Sequence, residues 1–124
     1  MIKPVVNLDL PYPPSVNHYY GRNRNGGVRI KGAGKMFRHH VAIIVKQSLR
    51  GHRIIDGPIH ISILMYPPDR RKRDIDNILK ALFDALQHAG VYKDDSQIIK
   101  MNIAKEQVVK GGAINVIIST LKDS

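Results

Sequence analysis

Apolar and polar residues alternate in some stretches of this chain and recur at helical spacing in others. Val6, Leu8 and Leu10 alternate, so residues 5–10 predict a strand, which Pro11, Pro13 and Pro14 stop. Ile59, Ile61, Ile63 and Met65 predict a second strand over residues 58–66, stopped by Pro67-Pro68. From Lys35 to about Leu49, the residues Phe37, Val41, Ile44 and Val45 fall at helical spacing, with Gly51 as a stop. Ile75, Ile78, Leu79, Leu82, Phe83 and Leu86 form one stripe, which predicts a second helix ended by Gly90. Ile99, Met101 and Ile103 alternate again, as do Ile114, Val116 and Ile118. The Gly111-Gly112 turn between the two runs predicts a hairpin. Residues 15–32 are polar, basic and rich in Gly and Asn, and predict a long loop with a short strand at Val28–Ile30. The order β-α-β-α-β-β predicts an α+β fold. Two helices pack on a mixed sheet, in a single domain over residues 1–124.

Charge changes the picture. The net charge is +10, and it is unevenly placed. Residues 1–55 carry ten Lys/Arg against one acid, Asp9, whereas residues 56–124 carry ten against nine. The first half is suited to a polyanion, with affinity gained by counterion release. A solvated basic face is the plainer reading of the same charge. No cysteine is present, which excludes disulfides and cysteine–zinc sites and fits a cytoplasmic location. No apolar run approaches the roughly 20 residues of a membrane span.

The run Asp69-Arg70-Arg71-Lys72-Arg73-Asp74-Ile75-Asp76-Asn77 sets four cations against two aspartates one residue apart. On an ideal helix, residues two apart point about 200° away from each other. Asp74 and Asp76 therefore converge on one metal only if Asp74 precedes the helix in an extended conformation. An N-cap role explains one aspartate equally well. It does not explain Arg70, Arg71, Lys72 and Arg73, because cations are disfavoured at that end of the helix dipole. Lys80, one turn after Asp76, has two readings: an ordinary helix ion pair worth roughly 0.2–0.5 kcal/mol, or a cation for the scissile phosphate. Asp84 reads as a solvated partner of Lys80. Asp94-Asp95-Ser96 reads either as turn chemistry or as a source of a further carboxylate. Magnesium suits such a site, because it is held by one or two carboxylates, waters and substrate phosphate.

The other candidates are thinner. The six histidines show no zinc spacing. Gly32-Ala33-Gly34-Lys35 fails the phosphate-loop pattern, since Met36 follows where Ser or Thr is needed. In the early loop, Asn17, Tyr19, Arg22 and Arg24 interleave polar, aromatic and cationic groups. That mixture stacks on unpaired bases and clamps phosphate.

The stretch from Arg71 through Asp74, Asp76, Asn77 and Lys80, then Phe83-Asp84-Ala85-Leu86, Ala89-Gly90 and Asp94-Asp95, resembles the RusA family of Holliday-junction resolvases. Leu10-Pro11-Tyr12-Pro13-Pro14-Ser15-Val16-Asn17 resembles that family's N-terminal signature, and Lys110-Gly111-Gly112 also fits. The resemblance spans nearly the whole chain. It implies a homodimeric endodeoxyribonuclease that nicks four-way junction DNA in recombination and repair, often prophage-borne, with magnesium (manganese substituting) and no further protein partner. It implies Asp74, Asp76 and Asp95 as metal ligands and Lys80 as the functional lysine. Arg70–Arg73 with the early loop would then grip DNA. The same charge pattern also fits a non-catalytic DNA-binding accessory protein, which would bind junctions without nicking them.

Overall fold

Residues 2–15 and 19–121 are described by the computed structural model of the chain. Asn17 and His18, read above as part of the early loop, lie outside the described residues. The strands are β1 (Ile2–Leu10), β2 (Tyr20–Arg22), β3 (Val28–Ile30), β4 (Ile59–Tyr66), β5 (Ile98–Lys105) and β6 (Ala113–Leu121). The helices are α1 (Gly32–Ser48) and α2 (Leu79–His88). A short 3-10 turn, Ile75–Ile78, leads into α2, and a second, Asp95–Gln97, leads into β5.

The main sheet has four strands in the order β1-β6-β4-β5. β6 pairs antiparallel with both β1 and β4, and β5 pairs parallel with β4. The sheet is mixed and, with the two helices, gives the α+β architecture that the sequence predicts. Val6, Leu8, Leu10, Ile59, Ile61, Ile63, Met65, Ile114, Val116 and Ile118 form the buried face, as their alternation requires. Across it, Ile63 lies opposite Val116 on one side and Ile103 on the other. Ile78, Ala81, Leu82, Ala85 and Leu86 complete the core from the second helical segment. Each fully buried Leu contributes roughly 1.5–3 kcal/mol.

Two expectations need correction. β5 and β6 do not form a hairpin, because β4 lies between them. The segment joining them crosses the end of β4, where the Glu106 N–H donates to Met65 O at 2.7 Å and the Val109 N–H to Pro67 O at 2.9 Å. Alternation sets which face a strand buries, but not which strand lies beside it. The early loop is also more ordered than its composition suggests. β2 and β3 pair antiparallel, with Tyr20 opposite Ile30, around a turn at residues 23–27. The helix α1 starts three residues earlier than predicted, so Gly32-Ala33-Gly34 is its first turn.

Candidate active site

Pro67-Pro68 end β4, and the chain enters α2 through an acidic, basic-flanked turn. Asp74 is extended, with φ −81° and ψ 138°, and its carboxylate makes no capping hydrogen bond. Only its backbone acts there, with Asp74 O accepting the Asn77 N–H at 3.2 Å. Asp76 falls in the 3-10 turn that follows. Asp74 therefore precedes the helix, as convergence with Asp76 demands, and both side chains are exposed. Asp74 also lines a cavity of about 250 Å³ with Tyr12, Pro13, Ser15, Arg73 and Asn77. The Tyr12 hydroxyl is buried there without a protein partner among the described residues. Burial raises the pKa of Tyr12, and the nearby Arg73 charge opposes that.

The cations divide by role. Arg73 is half-buried and forks onto Asp69, with Nη1 to Oδ1 at 2.5 Å and Nη2 to Oδ2 at 3.1 Å. Its guanidinium also lies 6.0 Å from the Tyr12 ring centroid. The Asp69 carboxylate accepts the Arg71 N–H at 2.9 Å as well. Lys105 Nζ reaches Arg73 O at 2.5 Å. Arg73 thus shapes the turn, the exposed Arg71 guanidinium lies 4.0 Å from Asp69 Oδ2, and Arg70 and Lys72 are exposed. The Arg73 hydrogen bonds, with that from the Arg71 backbone, hold the Asp69 carboxyl at about 2.

The second acidic pair sits on a fastened loop. Asp94 caps the Asp95–Gln97 turn in a capping box with Gln97, and Ser96 Oγ donates to its carboxylate. Gln97 Oε1 accepts the Lys93 and Asp94 N–H groups at 2.8 and 2.9 Å, and its Nε2 donates to Ile55 O and Gly57 O at 2.9 and 2.8 Å. The Asp95 N–H donates to Gln87 Oε1 at 3.2 Å, and no hydrogen bond is formed by its carboxylate among the described residues. The turn reading thus suits Asp94, while Asp95 keeps its charge outward. Sequence reasoning missed Gln97, whose four contacts fix this loop. Its only signal was the Asp94-x-x-Gln97 spacing.

Lys80 is not paired with Asp76 or Asp84. Its ammonium lies over the Tyr20 ring, 5.2 Å from the centroid. Burial, then the charge of Asp84, and also that of Asp95, push the Tyr20 phenol up. Lys80 and Asp95 thus both act on Tyr20. A cleft of about 660 Å³ opens there, lined by Tyr20, Arg22, Arg29, Lys31 and Lys80 among others. Arg24 is exposed on the adjoining turn.

The reading of Asp84 as Lys80's partner is corrected. Arg38 on α1 takes that carboxylate in a fork, with Nε to Oδ2 at 2.7 Å and Nη2 to Oδ1 at 3.0 Å. Tyr19 donates its hydroxyl to the same group. A planar guanidinium forms two parallel bonds where an i,i+4 lysine forms one. Tyr19 is 0% exposed, so its expected contact with DNA is also corrected: the half-buried neighbour, Tyr20, lines the cleft. Burial pushes the Asp84 carboxyl up, but the hydrogen bonds from Arg38 and Tyr19 outweigh it and hold the group below its usual value.

These two lowered carboxyls predict acid sensitivity. Their protons bind more readily in the unfolded state, so both stabilise the fold in full above the ordinary 3.8. That stability is lost as pH falls through the lowered values, toward about 2 for Asp69. Melting temperature should drop over this interval in wild type, and less steeply in Asp84→Asn. Circular-dichroism melts at stepped pH read the two slopes, and equal slopes would remove Asp84 from the account.

Three exposed aspartates and no sulfur ligand suit a hard, oxygen-seeking cation. Among the described residues, no three acidic or histidine side chains come together as a ready metal cage. Magnesium does not require one, since waters and substrate phosphate complete its shell. On the same residues, no helix is long and apolar enough to cross a membrane.

Comparison with known proteins identifies the family. The sequence model of the family described as Endodeoxyribonuclease RusA matches residues 11–119. The chain is 41% identical over 115 residues to the crossover junction endodeoxyribonuclease rusA of Enterobacteria phage 82, covering 93% of this chain and 94% of that protein. It is 39% identical, with the same coverage, to the crossover junction endodeoxyribonucleases RusA of Escherichia coli strain K12 and of Shigella sonnei strain Ss046. With the family model matching residues 11–119 and relatives about 40% identical over nearly the whole chain, and with an α+β frame, the chain belongs to the RusA family of endodeoxyribonucleases.

Proposed function

We propose that this protein is a magnesium-dependent Holliday-junction resolvase that makes paired, symmetric nicks as a homodimer. The observation that carries this reading is Asp74: an exposed carboxylate, uncommitted to capping, one residue from Asp76 and beside Arg70, Arg71 and Lys72. Asp74, Asp76 and Asp95 would hold the metal, which when bound makes water a stronger nucleophile and offsets charge on the phosphate. Lys80 offsets further charge as it develops on the phosphate oxygens. Arg70, Arg71 and Lys72 bind the backbone on one side, and Arg22, Arg24 and Arg29 on the β2–β3 hairpin bind it on the other. A four-way junction has two-fold symmetry, and a two-fold dimer presents two equivalent sites to it. The edge strand β5 leaves Ile99 and Met101 exposed, an apolar surface available for that contact.

The test is a cleavage assay on a synthetic four-way junction with magnesium, beside a linear duplex, a flap and an RNA hairpin. Symmetric nicks near the branch point are expected, and EDTA should abolish them. Junction affinity should fall with salt at a slope of about −0.9 per phosphate neutralised. Tight, salt-sensitive binding with no nicks in magnesium or manganese would instead make this a non-catalytic junction-binding protein.

A further inference from the structure

Asp84 follows Lys80 by one helical turn and yet turns its carboxylate toward α1. There it meets the Arg38 fork and the Tyr19 hydroxyl, and Arg38 Nε also lies 3.1 Å from that hydroxyl. The backbone of Tyr19 is held as firmly. Its N–H donates to Ser15 O at 2.9 Å, and its O accepts the Lys31 N–H at 2.8 Å. Gly34 on α1 lies so close that an added Cβ would sit 2.8 Å from Tyr19 O. The Tyr19 ring meets the Tyr20 ring edge-to-face at 4.6 Å, and Tyr20 in turn carries the Lys80 ammonium. A continuous line of contacts therefore runs from α1 to Lys80.

We propose that Arg38, Asp84 and Tyr19 are positioning residues: a clasp that fixes Tyr20 and, through it, the Lys80 ammonium at the catalytic face. This rests on the reading of Lys80 given above. A lysine side chain otherwise spreads over many rotamers, and a ring held in one orientation restricts its charge to one place. Simple tying of α1 to α2 would need the ion pair alone. The Tyr19 hydroxyl, and its contact with Tyr20, direct the effect to the hairpin and its cleft.

Single-turnover cleavage at saturating enzyme is the measurement, with Asp84→Asn, Tyr19→Phe and Arg38→Lys, each alone and combined with Lys80→Ala. Tyr19→Phe removes one oxygen and keeps the ring, so it answers even if Asp84→Asn folds poorly. Each single variant is expected to cut about ten- to hundred-fold more slowly, as for a misplaced catalytic group, with junction Kd within about twofold. In the Lys80→Ala background each should add less than about twofold, the mark of residues that act through one another. In the DNA-free protein, the Lys80 ε-methylene proton resonances should be shifted upfield by the Tyr20 ring and lose that shift in Tyr19→Phe. Losses that multiply fully with Lys80→Ala, or Lys80 resonances unchanged by Tyr19→Phe, would overturn the clasp. A wild type that cuts no junction would instead remove the function reading, and the resonance arm would still decide the clasp.

Discussion

Asp74→Asn and Asp76→Asn should each slow junction cleavage by about a thousand-fold or more, while junction binding is kept or tightened. The substitution keeps side-chain size and removes one negative charge. Each carboxylate is exposed and makes no ion pair among the described residues, so the fold loses little. The reaction loses part of the oxygen shell that offsets charge in the transition state, an effect of several kcal/mol at about tenfold per 1.4 kcal/mol. Binding moves the other way, because a carboxylate beside Arg70, Arg71 and Lys72 repels phosphate. Gel-shift and single-turnover assays on one junction preparation separate the two effects. Cleavage at the wild-type rate by either variant would take that residue out of the site.

The largest expected effect on stability away from the acids is at Gly112. It lies in the turn that crosses the end of β4, with φ +74°, where side chains are strained. An added Cβ would sit 2.7 Å from Tyr12 Cβ and 3.2 Å from Pro68 Cβ, neither of which swings aside easily. Gly112→Ala should cost about 3 kcal/mol from left-handed strain together with overpacking, lowering the melting temperature by about 10 °C. Gly111 also has positive φ, at +83°, but a Cβ there meets nothing within 4 Å. Gly111→Ala should therefore lose only the conformational part, about 1–2 kcal/mol. Equal melting curves for the two variants would mean that Tyr12 gives way freely. Because Tyr12 lines the cavity beside Asp74, Gly112→Ala should also slow cutting beyond its effect on the folded fraction.

Much of this was legible because periodicity reports burial directly. The inward residues of β1, β4 and β6, and Ile78, Leu82 and Leu86 of the second helical stripe, are those the spacing picks out, whereas Ile75 of that stripe and Ile99 and Met101 of the β5 alternation are exposed. The extended state of Asp74 follows from Pro67-Pro68 and from where the apolar stripe begins. Strand neighbours were not legible. Gly111-Gly112 has hairpin composition, but β4 lies between the two strands, parallel to β5 on one edge and antiparallel to β6 on the other. The Arg38–Asp84 fork joins residues 46 apart in sequence. Local spacing instead favours Lys80, which the fork's geometry and partial burial displace. Nothing in two adjacent tyrosines says which one turns inward; the β2–β3 pairing decides it, and polar composition hid that pairing.

The strand order also bears on how the molecule is made. β1 precedes the other strands in sequence order, and among the described residues it pairs in the sheet with β6 alone, with Ile2 opposite Leu121. On the ribosome, the β4–α2–β5 unit that bears the aspartates can pair its strands while β1 still waits for residues 113–121 to emerge. Closing the loop from Ile2 to Leu121 is a slow, non-local step. Until that step is complete, the strongly basic residues 1–55 are not joined through the sheet to the segment that carries most of the acids, so the sheet stays open until β6 has left the ribosome.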